Sequence, residues 1–165
     1  MDYRVGIGYD IHRFTPSRGE APDRKLVLGG VEIPDEPGLE GHSDADVVIH
    51  AICDALLGAV GKGDIGEHFP NTDPKFKGVA SSALLKRVNE IVQDAGYKVG
   101  NVDCTIIAQA PNLKAYKPKM RFQIAYKLAI DEERVNIKAT TPEGLGALGR
   151  GEGIAVYAAA LVVKQ

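Results

Sequence analysis

The stretch VGIGYDIHRF, Val5 to Phe14, decides how this chain is read. Val5, Ile7, Tyr9 and Ile11 alternate with Gly6, Gly8, Asp10 and His12, the two-residue period of a strand. The expectation is a core strand with one apolar face. Its other face carries two glycines, then a carboxylate, then an imidazole, so Asp10 and His12 stand side by side on a surface cleared of bulk.

The 165 residues are expected to form one catalytic domain, residues 1–165, large enough for a real core. The composition is 44% hydrophobic and 25% charged, with no Trp. A net charge of -2 gives no general attraction to nucleic acid or to an anionic membrane, so neither is an expected partner. Cys53 and Cys104 lie far apart inside apolar runs and read as buried thiols in a reducing compartment. MDYRVG at the start has no basic segment leading into an apolar one, and no run of about 18 apolar residues occurs. A cytoplasmic location is the expectation.

Outward from the first strand, TPSRGEAPDR reads as a loop and KLVLGGVEIP as a bent strand pair around Gly29-Gly30. A helix is expected from Ser43 to about Val60, capped by Ser43 or Asp44, burying Val48, Ile52, Ala55, Leu56 and Ala59. Residues 61–79 lack a period and read as a substrate-covering loop. SSALLKRVNEIVQDAG predicts a second helix, capped by Ser81 or Ser82 and stopped by Gly96. NVDCTIIAQ follows as a strand, and Pro118 opens a third helix with Met120, Ile124 and Leu128 on one stripe. RVNIKAT and GIAVYAAALVVK are the last strands, the final one apolar on both faces as befits a central, doubly covered strand. The class is α+β: a mixed sheet with helices packed on one face.

The chemistry gathers at a few places. Asp10 and His12 at i, i+2 can converge on one ion, and Asp46 and His50 at i, i+4 share a helix face. Asp10, His12 and His50 suit zinc or a similar divalent ion with an open fourth position, the catalytic pattern. Asp46 is a candidate fourth ligand, or a carboxylate that orients the His50 imidazole. Gly41, His42 and Ser43 stand before the helix that carries His50, a natural anion site. Thr140, Thr141 and Glu143 precede a glycine-rich turn; their hydroxyls suit phosphate oxygens and the carboxylate suits a magnesium-type ion. No nucleotide fingerprint and no activated nucleophile occurs. These features point to a metal-dependent enzyme acting on a phosphorylated small molecule. A zinc phosphohydrolase and a non-catalytic nucleotide- or isoprenoid-diphosphate-binding subunit remain alternatives at this point.

Taken in order, GIGYDIHRF, GHSDADVVIHAICDALLGA, GDIGEHFPNTDP, NVDCTIIAQAP, KATTPEGLG and GRGEGIA resemble the 2-C-methyl-D-erythritol 2,4-cyclodiphosphate synthase family over nearly the whole chain. The resemblance implies a homotrimer with active sites between neighbouring subunits, and zinc on Asp10, His12 and His50. It implies that His42 and Ser43 hold phosphate, with His42 and Thr141 assisting in the transition state. Asp64, Ile65 and Gly66 match residues at the methylerythritol hydroxyls, with Phe69, Pro70, Asn71, Thr72 and Asp73 beside them. Ala108, Gln109, Ala110, Pro111, Asn112, Leu113 and Lys114 match a cytidine pocket contributed by a neighbour. Thr140, Thr141, Pro142 and Glu143 match the diphosphate site, where Glu143 takes a second ion, Mg2+ or Mn2+. Ala147 and Arg150 match residues near a central cavity on the trimer axis. Three positions depart from the family pattern: Asn71 stands where Asp is common, Asn112 where Lys is frequent, and Ala147 where some members carry Phe. The implied substrate is 4-diphosphocytidyl-2-C-methyl-D-erythritol 2-phosphate. Its 2-phosphate attacks the β-phosphorus and CMP leaves, a reaction that needs no protein nucleophile.

Overall fold

The computed structural model describes residues 2–16, 24–41, 43–70, 72–76 and 78–165. β1 (Tyr3–Arg13) runs antiparallel to β6 (Gly153–Lys164), β6 antiparallel to β4 (Tyr97–Ile107), and β4 parallel to β5 (Val135–Thr140). The sheet is therefore mixed, in the order β1-β6-β4-β5. β2 (Lys25–Leu28) and β3 (Val31–Pro37) form a separate hairpin turned by Gly29 and Gly30, both at positive φ. Positive φ at both central positions is the geometry of a tight hairpin turn, which glycine adopts without strain.

Three longer helices cover one face of the sheet. α1 (Val47–Ala59) lies across β1 and β6 and packs on α3 (Ser81–Asp94). α4 (Lys117–Leu128) packs on α3 and β5 and buries the Met120, Ile124 and Leu128 stripe. α2 (Ile65–His68) is a single turn within the expected loop, and α5 (Gly146–Gly149) is another before β6. The helix side of the sheet is apolar: Val102, Cys104 and Ile106 of β4, and Ile154, Val156, Ala158, Ala160 and Val162 of β6, are all buried.

The orientation of β1 reverses the sequence-based expectation. Its apolar face points away from the helices: Val5 is 67% exposed, Ile7 73%, Tyr9 47% and Ile11 48%. The glycine face is the one that meets α1. A β-carbon on Gly6 would lie 1.9 Å from the Ala55 carbonyl oxygen, and one on Gly8 the same distance from that of Ala51. Helix backbone and strand backbone thus touch directly, and only glycine permits it. β6 holds the predicted central position but is covered on one face in this chain, with Tyr157 50% exposed opposite Tyr9.

The start of α1 differs as well. Ala45 takes a positive φ of 58° and breaks the run, so the helix begins at Val47 with Asp46 as its cap, in place of Ser43 or Asp44. α3 begins at Ser81 with no cap from its own serines. The Asp44 carboxylate accepts from the Ser81 backbone N–H at 3.0 Å and so satisfies that end from outside the helix.

Candidate metal centre and its pocket

Asp10 and His12 project from the end of β1 and His50 from the first turn of α1, which the glycine contact presses against that strand. Asp10 Oδ2 lies 2.8 Å from His12 Nε2 and 3.2 Å from His50 Nδ1, and the two ring nitrogens are 3.3 Å apart. Among the described residues this is the one group of three such side chains with ligand atoms close enough to share an ion.

The donor set fits a divalent metal. His12 Nδ1 sits 2.5 Å from the Glu40 carbonyl oxygen, which can only accept. Nδ1 therefore carries the proton, and in the neutral ring the Nε2 lone pair faces the cluster. Burial opposes the Asp10 charge, but when the His12 and His50 rings are protonated their hydrogen bonds and charge outweigh it and lower the carboxyl to about 2. Burial likewise works to lower His12, and its bond and attraction to Asp10 prevail, so its pKa is raised.

The cluster opens into a pocket of about 240 Å³ walled by Ser43, Asp54, Ile65, Gly66, Phe69 and Asp73, among others. Asp64 flanks it as the cap of α2, accepting from the Glu67 N–H, while Pro70 and Thr72 sit on the same segment outside the pocket wall. His42 and Asn71 lie outside the described residues.

Asp46 is not where the i, i+4 spacing put it. Its carboxylate is fully buried and accepts from the N–H groups of Gly29, Gly30, Val48 and Ile49 at 2.6–3.1 Å. It caps α1 and ties it to the hairpin turn, and it neither ligates nor orients His50. Burial pushes this carboxyl up to about 6, against the pull of those backbone bonds. The anion site expected at the helix start is thus filled by the chain's own carboxylate, and Ser43 faces the pocket beside His50 instead, 3.1 Å away.

The remaining predicted residues form a second group. The Ala108 N–H donates to the Thr140 carbonyl at 3.1 Å, and the Gly144 N–H to Gln109 Oε1 at 3.1 Å. The Thr141 hydroxyl donates to the Glu143 carboxylate, and Glu143 adopts a positive φ of 53°. Asn112 accepts from the Lys114 N–H, and Leu113 between them is buried. Gln109, Ala110 and Arg150 line a wider cavity of about 530 Å³, in which Arg150 pairs with Glu152 at 2.8 Å. Pro142 and Ala147 lie on the intervening turn and in α5.

The two groups sit at the same end of the sheet on opposite edges. His12 pairs with Ile154, Ala155 with Ile107, and Ile107 with Thr140. Three strand spacings of about 4.8 Å separate the edges by roughly 14 Å.

Sequence reasoning missed four contributors. Asp54 lines the pocket and accepts from the Ile65 N–H at 2.8 Å; burial raises its pKa, with Asp64 and Asp10 adding to that against the Ile65 bond. Its signal was the i+4 spacing from His50. Arg24 donates to the carbonyls of Leu39, Gly41 and Ser43 and so staples the segment before α1. Ser81 and Asp44 stand behind His50, and no local pattern announces that pairing.

With this geometry in place, the comparisons with known proteins agree on one family. The YgbB family model matches residues 3–163. The chain is 57% identical to the 2-C-methyl-D-erythritol 2,4-cyclodiphosphate synthase of Halalkalibacterium halodurans, over 98% of this chain and 99% of that one. It superposes on the bifunctional IspDF from Campylobacter jejuni with a TM-score of 0.92 at 43% identity, covering 99% of this chain and 43% of that longer one. It superposes on IspF from Plasmodium falciparum, solved as a CDP complex, with a TM-score of 0.83 at 33% identity, covering 99% and 97%. The chain belongs to the YgbB family, that of the 2-C-methyl-D-erythritol 2,4-cyclodiphosphate synthases.

Proposed function

We propose that this chain is a phosphorus-oxygen lyase that converts 4-diphosphocytidyl-2-C-methyl-D-erythritol 2-phosphate to 2-C-methyl-D-erythritol 2,4-cyclodiphosphate, releasing CMP, in non-mevalonate isoprenoid synthesis. The observation that carries this reading, beside family membership, is the convergence of Asp10, His12 and His50 on one point at the mouth of the pocket. An oxygen of the 2-phosphate bonds to the β-phosphorus, and the bond from that phosphorus to the bridging oxygen breaks. CMP leaves with the electron pair, so no water and no protein nucleophile enter the balance.

Zinc on Asp10, His12 and His50, and Mg2+ or Mn2+ on Glu143 and the substrate phosphates, would supply Lewis acidity at the phosphate oxygens. The chain's own residues do the folding of the substrate. Asp64, Ile65 and Gly66 hold the erythritol hydroxyls, with Phe69, Pro70, Asn71, Thr72 and Asp73 beside them. His42 and Ser43 bind phosphate at one end, and Thr140, Thr141, Pro142 and Glu143 bind the diphosphate at the other. Ala108, Gln109, Ala110, Pro111, Asn112, Leu113 and Lys114 receive the cytidine. Bringing the two phosphates to bonding distance is the main catalytic task, with hydroxyl and imidazole donors from Thr141 and His42 stabilising the charge that develops.

One catalytic domain of this kind works as part of a homotrimer. The roughly 14 Å between β1 and β5, the strands that carry the metal cluster and lead into the Thr140–Glu143 group, favours a site completed by a neighbouring chain. The exposed apolar face of Val5, Ile7, Tyr9, Ile11 and Tyr157 supports burial against other copies. Arg150 and Ala147 then stand near the axis, with Glu152 neutralising the arginine. A cytoplasmic location accords with two free, buried thiols and, among the described residues, no helix long and apolar enough to cross a membrane.

Incubation with the cytidyl substrate and phosphorus NMR tests the reading. The expected signals are a cyclic diphosphate and CMP in equal amounts. An open-chain phosphate product would make the chain a hydrolase, and unchanged substrate would make it a binding subunit.

A further inference from the structure

We propose that Asp44 and Ser81 act as positioning residues that fix the proton of His50 on Nε2 and turn its Nδ1 lone pair toward Asp10 and His12. The inference rests on the metal reading above for its purpose, and on hydrogen-bond bookkeeping for its content. The Ser81 hydroxyl has one proton, and it donates that proton to Asp44, because a carboxylate offers acceptors only. The second carboxylate oxygen takes the Ser81 backbone N–H at 3.0 Å, which locks the serine in this direction.

Ser81 Oγ is left with lone pairs alone, and it lies 3.0 Å from His50 Nε2. A bare Nε2 would set lone pair against lone pair at a fully buried oxygen; an Nε2–H satisfies both atoms. Ser43 Oγ, 3.1 Å from the same nitrogen, does not reverse this. It accepts from the Ala45 N–H, and its own proton is free to go to Ser81 Oγ at 3.3 Å. With Nε2 protonated, Nδ1 of the neutral ring is an acceptor facing two others, Asp10 Oδ2 at 3.2 Å and His12 Nε2 at 3.3 Å, a gathering of lone pairs that a shared cation satisfies. His12 reaches the same state by donating through Nδ1 to the Glu40 carbonyl. The two histidines therefore present opposite ring nitrogens to one point, each set by a different acceptor behind it.

The test reads the imidazole tautomer by long-range nitrogen–proton NMR at pH 8 in protein titrated with zinc, beside zinc affinity by chelator competition. In wild-type protein His50 is expected as the Nε2–H tautomer. In Asp44→Ala the Ser81 hydroxyl is released to donate to Nε2, so the population shifts toward Nδ1–H and zinc affinity falls about 10–100-fold. Ser81→Ala leaves Ser43 alone behind the ring and gives a mixture of tautomers with a smaller loss. That second variant serves if Asp44→Ala, which also uncaps α3, fails to fold. A wild-type His50 protonated on Nδ1, or tautomer and affinity unchanged in the folded variants, overturns the proposal. An Nε2–H tautomer in a wild-type protein that binds no zinc upholds the relay and removes the metal reading instead.

Discussion

The two faces of β1 carry opposite side chains and meet opposite surroundings, and the pairing is the reverse of the familiar one. The bulky face of Val5, Ile7, Tyr9 and Ile11 is open in the single chain, whereas the bare face of Gly6 and Gly8 is the one pressed onto α1. A strand's interior face is thus decided by what it must approach. Here a helix backbone must come close enough for His50 to meet Asp10 and His12, and a side chain between them would hold the donors apart. The apolar face stays open, and it is the surface that the proposed trimer would bury. One strand thus carries two donors of the candidate metal centre on one side and an exposed apolar row on the other.

The comparison breaks most sharply at Gly8. Gly8→Val places a β-carbon 1.9 Å from the Ala51 carbonyl oxygen, and neither backbone can yield without parting strand from helix. The expected cost is about 3 kcal/mol or more, the upper range for overpacking, read by urea unfolding. Ile7→Ser, one residue away on the open face, is expected to change chain stability by less than about 1 kcal/mol at concentrations where the protein is monomeric. Equal costs for the two would mean that the faces are not distinct.

His50→Ala tests the metal side of the same contact. The variant is expected to fold, because the ring is replaced at the pocket rim, and to lose bound zinc together with at least about 100-fold in activity. Metal content by mass spectrometry, with circular dichroism as the control for folding, measures this. Full zinc content would dismiss the Asp10, His12 and His50 assignment.

Much of this was legible in the chain. The D-x-H on a strand and the histidine one turn into a helix pointed to the three donors, because periodicity alone decides which side chains share a face. The longer strands and helices stand close to where their sequence patterns put them, from the Gly29-Gly30 hairpin to the stripe on α4. What stayed hidden is tertiary. Alternation fixes that β1 has two faces and cannot say which one meets the helix. The Asp46 and His50 spacing likewise presumes that both residues are helical, and the positive φ of Ala45 makes Asp46 a cap instead. Ser81 and Asp44 are 37 residues apart, beyond any local pattern.

The open face supplies the next test. Ile7→Asp sets a carboxylate into the proposed interface, where three copies would face one another, while leaving the glycine side untouched. A trimer in wild-type protein and a folded monomer in the variant are the expected results by light scattering after size exclusion. Loss of activity with zinc retained would follow, since the Thr140–Glu143 group would no longer reach a neighbour's metal centre. A wild-type monomer with full activity would overturn the shared-site reading.

A smaller effect separates Asp46 from the metal. Asp46→Ala strands four backbone N–H groups, buried at Gly29, Val48 and Ile49 and half-buried at Gly30. Leaving buried donors unpaired costs about 1–3 kcal/mol, so the melting temperature should fall by several degrees while one zinc per chain is kept. Zinc loss without destabilisation would restore Asp46 to the ligand sphere.

The mildest test asks which side of the sheet a thiol occupies. Cys53 on α1 and Cys104 on β4 both belong to the apolar core on the helix side of the sheet and are fully buried. Burial pushes the Cys104 thiol up to about 12, with the charges of Asp46 and Asp103 adding to it, and drives Cys53 well above its ordinary value. Alkylation requires the thiolate and access to it, and both are denied here. Neither cysteine should react with iodoacetamide at pH 8 in the folded protein, and both should react in guanidinium, counted by intact mass. A cysteine placed on the other face of β1, as in Tyr9→Cys, removes a side chain that is 47% exposed and packed at a tilt against Tyr157 with ring centres 4.7 Å apart. That thiol should label in a dissociated chain and be protected in the assembled one. Labelling of Cys104 at a comparable rate in the folded protein would mean that the helix layer opens as readily as the interface, and the contrast between the faces of the sheet would fall.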